Sequence, residues 1–306
     1  MTRVAAIDCG TNSTRLLVAQ EGSPLATVER EMRVTRLGYG VDRTGRLDDA
    51  ALARTVDVIG DYHDRALGLG AGRCRIAATS AIRDAADRQR FLDGVAARTG
   101  VQAEVLTGDE EARTAFAGAT RSVGGDPPYV VLDIGGGSTE LIVGQREPEA
   151  LASRQIGCVR LTERCLPDDP PSRESLEAAR EVARTELDEA VAHTGAATAR
   201  TVVGVAGTVT TLAALHLDLP RYDPGRIHGT CLPRHAVAAL TDRLAAMTAA
   251  ERAELGPMAA GREDVIVGGA IVLREALDLL GTSETLVSEA DILDGLALSL
   301  LAGLDT

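Results

Sequence analysis

The stretch Val130-Val-Leu-Asp133-Ile-Gly135-Gly136-Gly137-Ser138-Thr139-Glu140-Leu-Ile-Val143 decides the fold. An apolar run ends on an acid. Three glycines follow, then two hydroxyls, a second acid and a second apolar run. The pattern predicts two buried strands joined by a tight turn. A hairpin that only had to turn would be served by Asn-Gly. Glycine lets a backbone come close to another atom, and successive N–H groups in such a turn can converge on one anion. Asp133, Ser138 and Glu140 flank the turn and can hold a metal or a phosphate.

The N-terminus repeats the stretch without a gap. Ala6 to Gln20 aligns with Val131 to Gln145, so that Asp8 falls on Asp133, Gly10 on Gly135, Ser13 on Ser138 and Thr14 on Thr139. Leu16, Val18 and Gln20 fall on Leu141, Val143 and Gln145. Two copies of one hairpin predict two duplicated domains facing each other, each offering an Asp and an amide-lined turn to one anionic ligand.

The chain has 306 residues, a length that suits two domains, and is 45% hydrophobic. No apolar run reaches the length of a membrane span, and the N-terminus lacks the basic start and apolar core of a signal peptide. We therefore expect a cytoplasmic protein with no membrane partner. Cys9, Cys74, Cys158, Cys165 and Cys231 are scattered, without a C-x-x-C pair. This argues against a disulfide framework and a structural zinc site.

All 32 basic residues are Arg, which excludes a Walker P-loop, a protein-kinase site and a lysine Schiff base. A net charge of −13 and the absence of Trp argue against nucleic acid. An anionic ligand must then be met locally by Arg, turn amides and metal.

Along the chain, Val4 to Leu17 and Ala26 to Leu37 read as the first strands. Arg30, Arg33, Arg36, Arg43 and Arg46 form a basic cluster, either a solvated face or a patch that steers a polyanion. A helix capped by Asp48 or Asp49 follows and stops at Gly68. The strand Arg75 to Thr79 runs into Thr79, Ser80 and Arg83, at the carboxyl end where open α/β sheets bind ligands. A helix is expected from about Asp87 to Arg98, then a strand from Val101 to Thr107.

That strand runs into Gly108-Asp-Glu-Glu-Ala-Arg113. Thr107 and Glu110 have capping-box spacing, which gives Glu110 a structural task. Acids in a first helical turn also suit the helix dipole, and this covers Asp109. Glu111 is the acid left over. Val123 to Pro128 reads as a linker. In the second half, Thr201 to Ala206 runs into Gly207-Thr208, a turn opening a helix and so an anion site. Further helices are expected over Ser172–His193, Arg234–Met247, Glu263–Leu280 and Asp291–Leu301. His228 reads as a loop histidine.

Together the two hairpins, Ala-Thr-Ser-Ala-Ile-Arg-Asp-Ala and Thr-Gly-Asp-Glu-Glu-Ala-Arg resemble the exopolyphosphatase and guanosine pentaphosphate phosphohydrolase (Ppx/GppA phosphatase) family. So do Arg-Val-Thr-Arg-Leu-Gly-Tyr-Gly, Gly-Val-Ala-Gly-Thr-Val-Thr-Thr-Leu, Arg-Ile-His-Gly and Arg-Glu-Asp-Val-Ile-Val-Gly-Gly-Ala. The resemblance covers nearly the whole chain in the right order. It implies an α/β fold: two ribonuclease-H-like domains of the actin, hexokinase and Hsp70 superfold, with an interdomain cleft. We place them at 1–122 and 123–306, with the last helix free to pack back on the first domain.

The resemblance makes Glu111 the catalytic base. It assigns a Mg²⁺ (or Mn²⁺) role to Asp133 and Glu140, to which Asp8 is added as their counterpart in the first hairpin. It assigns phosphate binding to Gly135, Gly136, Gly137 and Ser138, to Arg83, and to Thr11, Asn12 and Ser13. Gly207 and Thr208 join these as the helix-start anion site. Many family members read Leu-Arg-Glu-Gly near the C-terminus where this chain has Ile292-Leu-Asp-Gly295. Longer members carry an extra helical domain of the HD type, which a chain of this length does not accommodate.

The expected reaction is hydrolysis of a terminal phosphoanhydride of inorganic polyphosphate, short chains above all. Guanosine pentaphosphate is the alternative substrate. A sugar or acetate kinase of the same superfold is a further alternative, as is a non-catalytic protein of the actin type, against which the retention of Glu111 speaks. A homodimer is the default expectation.

Overall fold

Strand Arg3–Cys9 (β1) is buried from Val4 to Cys9 and divides its side chains between two layers. The computed structural model describes residues 2–22 and 25–303. Ala5, Ile7 and Cys9 pack with Leu52, Ile59, Phe91 and Val95 on one face, while Val4 and Ala6 pack with Ala115, Leu293 and Leu296 on the other. Side chains alternate across a strand, so a sheet covered on both sides shows continuous apolar runs instead of alternation.

β1 pairs antiparallel with β2 (Ser13–Gln20), which pairs antiparallel with β3 (Ala26–Val34). The short helix α1 (Val41–Thr44) and the long α2 (Asp49–Gly68) lead to β4 (Arg73–Ala78), parallel to β1. Asp48 caps α2 by accepting from the Ala51 amide. Helices α3 (Ser80–Asp84) and α4 (Gln89–Thr99) precede β5 (Glu104–Val105), and α5 (Gly108–Thr120) closes this run. The sheet order is β3-β2-β1-β4-β5.

The same plan returns with β6 (Tyr129–Ile134), β7 (Thr139–Gly144) and β8 (Pro148–Arg154). Helices α6 (Cys158–Cys165) and α7 (Arg173–Thr194) follow, then β9 (Thr201–Val205), parallel to β6, and α8 (Ala206–His216). After α9 (Pro224–Ile227), β10 (Cys231–Pro233), α10 (Arg234–Ala245), α11 (Ala249–Ala253) and α12 (Ile266–Leu280) comes β11 (Glu284–Val287), parallel to β9. The order is β10-β11-β9-β6-β7-β8. Stripped of β10, it matches the first sheet strand for strand. This is the ribonuclease-H-like plan, found twice, as in the actin, hexokinase and Hsp70 superfold.

The last helix, α13 (Ile292–Ala302), belongs to the first unit. One unit takes the chain up to Arg121 and again from Asp291, and the other is Ser122–Ala290. Ile292, Leu293, Leu296 and Leu300 of α13 bury into the layer under β1 and β2. Each such burial is worth roughly 1.5–3 kcal/mol, enough to hold the helix there.

Three other expectations shift. The strand over Val101–Thr107 shrinks to two residues, because only Glu104 and Val105 pair with β4 at the sheet edge. The helix expected from Glu263 starts at Ile266, after turns in which Val265 and Ile266 donate to Arg262 O. Arg30, Arg33 and Arg46 of the basic cluster are paired with Asp294, Asp61 and Asp87. Each of these three thus has an acid partner within its own unit.

Candidate active site

In the second unit, the Gly135 amide donates to Ser138 O at 3.0 Å and closes the turn between β6 and β7. The turn's carbonyls point to α6: Gly135 O accepts from Cys158 N–H, and Gly136 O from Val159 N–H, each at 2.9 Å. A Cβ on Gly157 would lie 2.5 Å from Gly136 backbone atoms, so only glycine permits this approach. With the carbonyls so engaged, the amides of Gly136, Gly137 and Ser138 donate to no other backbone group among the described residues. They are the donors an anion needs.

Asp133 and Glu140, on either side of the turn, are direct partners across the β6–β7 ladder and are both buried. Ser153, the partner of Glu140 on β8, donates from Oγ to Glu140 Oε1 at 2.7 Å. At the end of β9, Ala206 adopts φ +67°, a left-handed conformation that a non-glycine residue rarely takes outside functional sites. Gly207 follows, and its carbonyl accepts from Arg262 Nη1 at 3.0 Å, while the same nitrogen reaches Thr211 Oγ1 at 2.8 Å. A Cβ on Gly207 would overlap that guanidinium. Thr208 is buried beside it.

The first unit repeats the turn. Gly10 N–H donates to Ser13 O at 3.0 Å, and the Thr11 and Asn12 carbonyls accept from Gly38, Thr35 and Arg36. Thr11 Oγ1 and Ser80 Oγ are 2.8 Å apart, which ties the turn to the segment after β4. Asp8 Oδ2 accepts from Arg15 Nε at 3.0 Å and Nη2 at 2.7 Å. Burial pushes the Asp8 carboxyl above the usual range, against the opposing pull of Arg15. Its Oδ1 is buried without a hydrogen-bond partner among the described residues.

Arg83 and Glu111 meet in this unit. Arg83 Nη1 donates to Glu111 Oε2 at 3.0 Å and to Leu106 O at 2.9 Å. Arg83 Nη2 is buried and has no hydrogen-bond partner among the described residues. Glu111 is 7% exposed, whereas its neighbour Glu110 is turned outward and closes the capping box with Thr107. Adjacent residues lie ~100° apart on a helix, which separates the two acids.

Among the described residues, no group of three or more His, Cys, Asp or Glu forms a metal cage. What fits a divalent ion is the Asp133–Glu140 pair, since Mg²⁺ is commonly held by one or two carboxylates with waters and substrate phosphates completing the shell. Asp8, expected as a third ligand, instead has one oxygen taken by a guanidinium. His228 is structural: Nδ1 accepts from Glu289 N–H, so the proton sits on Nε2, which faces Ser122 O at 2.9 Å.

Sequence reasoning missed Arg15 and Arg262. Arg262 lay within the quoted Arg-Glu-Asp-Val stretch. Arg15 stood in the aligned hairpin at the one position where a basic residue faces an acid in the other copy.

The chain matches the model of the Ppx/GppA phosphatase family over residues 17–303. It is 47% identical to exopolyphosphatase 2 of Mycobacterium tuberculosis, covering 98% of this chain and 99% of that protein. It is 33% identical to a guanosine-5'-triphosphate,3'-diphosphate pyrophosphatase of Photobacterium profundum, over 70% of this chain and 43% of that protein. A crystal structure of an exopolyphosphatase-like protein superposes with a TM-score of 0.95 at 37% identity, covering 99% of this chain and all of that one.

Proposed function

The chain belongs to the Ppx/GppA phosphatase family and is a phosphoanhydride hydrolase; from that premise we propose that it removes terminal phosphate from inorganic polyphosphate, short chains first. The observation that carries the chemistry is the Arg83–Glu111 pair. A buried carboxylate beside a guanidinium with one unengaged N–H group suits a base next to an anionic phosphate. The similarity to an exopolyphosphatase along its whole length supports polyphosphate as substrate. Arg30, Arg33 and Arg46 each have an acid partner within the first unit, which weakens the pull of that cluster on a long polyanion and is in keeping with short chains.

In this mechanism Arg83 Nη2 donates to a terminal phosphate oxygen. In each unit the turn amides, those of Thr11, Asn12 and Ser13 in the first and of Gly136, Gly137 and Ser138 in the second, are donors for phosphate oxygens. Gly207 and Thr208 add the start of α8 as a further donor group. Glu111 Oε atoms orient the attacking water and take its proton. Asp133 and Glu140 would hold Mg²⁺ or Mn²⁺, which when bound neutralises phosphate charge and polarises the P–O bonds. The residues' share is positioning and electrostatics, which dominate phosphoryl transfer.

Guanosine pentaphosphate is the second reading, favoured by one residue. Tyr39 is 60% exposed and follows Gly38, whose amide binds Thr11 O in the first phosphate turn. An exposed aromatic there can stack on a base. Phosphate release should be measured with short and long polyphosphate, guanosine pentaphosphate, and ATP with candidate acceptors. The proposal requires the highest kcat/KM for short polyphosphate and no change in it on Tyr39→Ala. Preference for the nucleotide, lost in Tyr39→Ala, would select the second reading.

A further inference from the structure

The two hairpins differ most at one place. Each sheet carries a row of three partners across its first three strands. In the first unit the row is Asp8, Arg15 and Met32; in the second it is Asp133, Glu140 and Ser153. The turns beside the rows are closed by the same bond, Gly10 to Ser13 and Gly135 to Ser138. The second row presents two carboxylates and a hydroxyl. The first presents a carboxylate, a guanidinium and a thioether.

Carboxylates set directly opposite on a ladder repel, and a cation between them removes the repulsion. In the first row the cation is covalent. Arg15 gives two N–H groups to Asp8 Oδ2, and a third, from Nη1, to Asp291 at the start of α13. The charge is permanent and the planar fork is already satisfied by carboxylates. Met32 offers no hard oxygen donor, whereas Ser153 binds Glu140.

We infer that Arg15 is a built-in cation, occupying in the first unit the place that a divalent ion takes beside Asp133 and Glu140 in the second. The chain then carries one metal site, and Asp8 is not a ligand. Asp8 Oδ1, with its charge already countered, is left to accept a hydrogen bond from a neutral donor such as water. The inference rests on the reading above that Asp133 and Glu140 hold the ion.

Mn²⁺ binding to the full chain, titrated without substrate and read by electron paramagnetic resonance, tests it. The native chain should bind one ion. Glu140→Gln should weaken binding by ~10-fold or more, while Asp8→Asn should leave stoichiometry and affinity unchanged. Arg15→Glu, which copies the second row into the first, should bind two ions, and one of them should survive in a Glu140→Gln background. A purely structural Arg15 would lower the melting temperature in that variant and add no ion, which overturns the inference. So does loss of affinity in Asp8→Asn matching that in Glu140→Gln. If Arg15→Glu does not fold, Asp8→Asn decides alone. Native binding that survives both Asp133→Asn and Glu140→Gln would instead sink the underlying metal reading.

Discussion

Arg83 and Glu111 share a hydrogen bond of 3.0 Å, and the second terminal nitrogen of the same guanidinium is buried with no hydrogen-bond partner among the described residues. In the proposed mechanism Arg83 holds Glu111 with one nitrogen and offers the other to an anion. Lysine cannot do both, because its ammonium is a point charge without a fork. Arg83→Lys should lower kcat by ~10²-fold or more, the loss typical of removing one donor to developing charge. A variant with native kcat would mean that Arg83 only anchors Leu106 and α5.

The two adjacent glutamates should separate cleanly. Glu111→Gln keeps the shape and the bond from Arg83 but cannot take a proton, and kcat should fall by ~10²–10⁴-fold. Glu110→Gln keeps the capping box and should leave kcat near native. Thr107→Ala, which removes the cap, should cost about 0.5–2 kcal/mol of stability. Steady-state kinetics and thermal melts of the three variants check this, and equal kinetic losses at 110 and 111 would refute Glu111 as the base.

Stability should depend on pH with opposite signs at two acids. The Thr107 amide, and then its hydroxyl, hold the Glu110 carboxyl below its ordinary range. That contribution is present above the unfolded value and lost as the pH falls through the folded one. Burial raises Asp294 above its ordinary range, against the pull of Arg30. Its contribution is present at low pH and lost as the pH rises through the raised value. In melting curves across the acid range, Glu110→Gln should flatten the fall on acidification, and Asp294→Asn should remove the opposite slope. Profiles identical to the native one in both variants would contradict the assignment.

Helices α5 and α13 meet through two glycines. A Cβ on Gly118 would overlap the Asp291 carbonyl oxygen, and one on Gly295 would overlap that of Thr114. Alanine is the better helix former by about 1 kcal/mol, yet Gly118→Ala should destabilise by about 1–3 kcal/mol, because the obstacle is backbone. A chemical denaturation midpoint equal to or above the native one would show that the helices can separate without cost.

The hairpin stretches, the Thr107–Glu110 box and a cap at Asp48 or Asp49 were legible in the sequence, since each is a local pattern of a few residues. The Arg83–Glu111 contact was not, because it spans 28 positions and depends on how α3 and α5 pack around Leu106. Arg262 reaches Gly207 across 55 positions. Arg15 was visible in the alignment of the two hairpins, but its partner Asp291 lies 276 positions away. The departure at Leu293 also has a physical account: its side chain is buried among Leu17, Ala77 and Leu296.

The first unit is discontinuous along the chain. Asp291, at its re-entry, accepts from Arg15 of β2, and the helix it caps covers the face of β1 that carries Val4 and Ala6. Until α13 is made, that face is covered only by Leu106 and Ala115. The half that emerges first therefore finishes last. A chain ending before Asp291 would keep all five strands of the first sheet but lack the α13 layer, leaving the side of Val4, Ala6, Leu17 and Ala19 only partly covered.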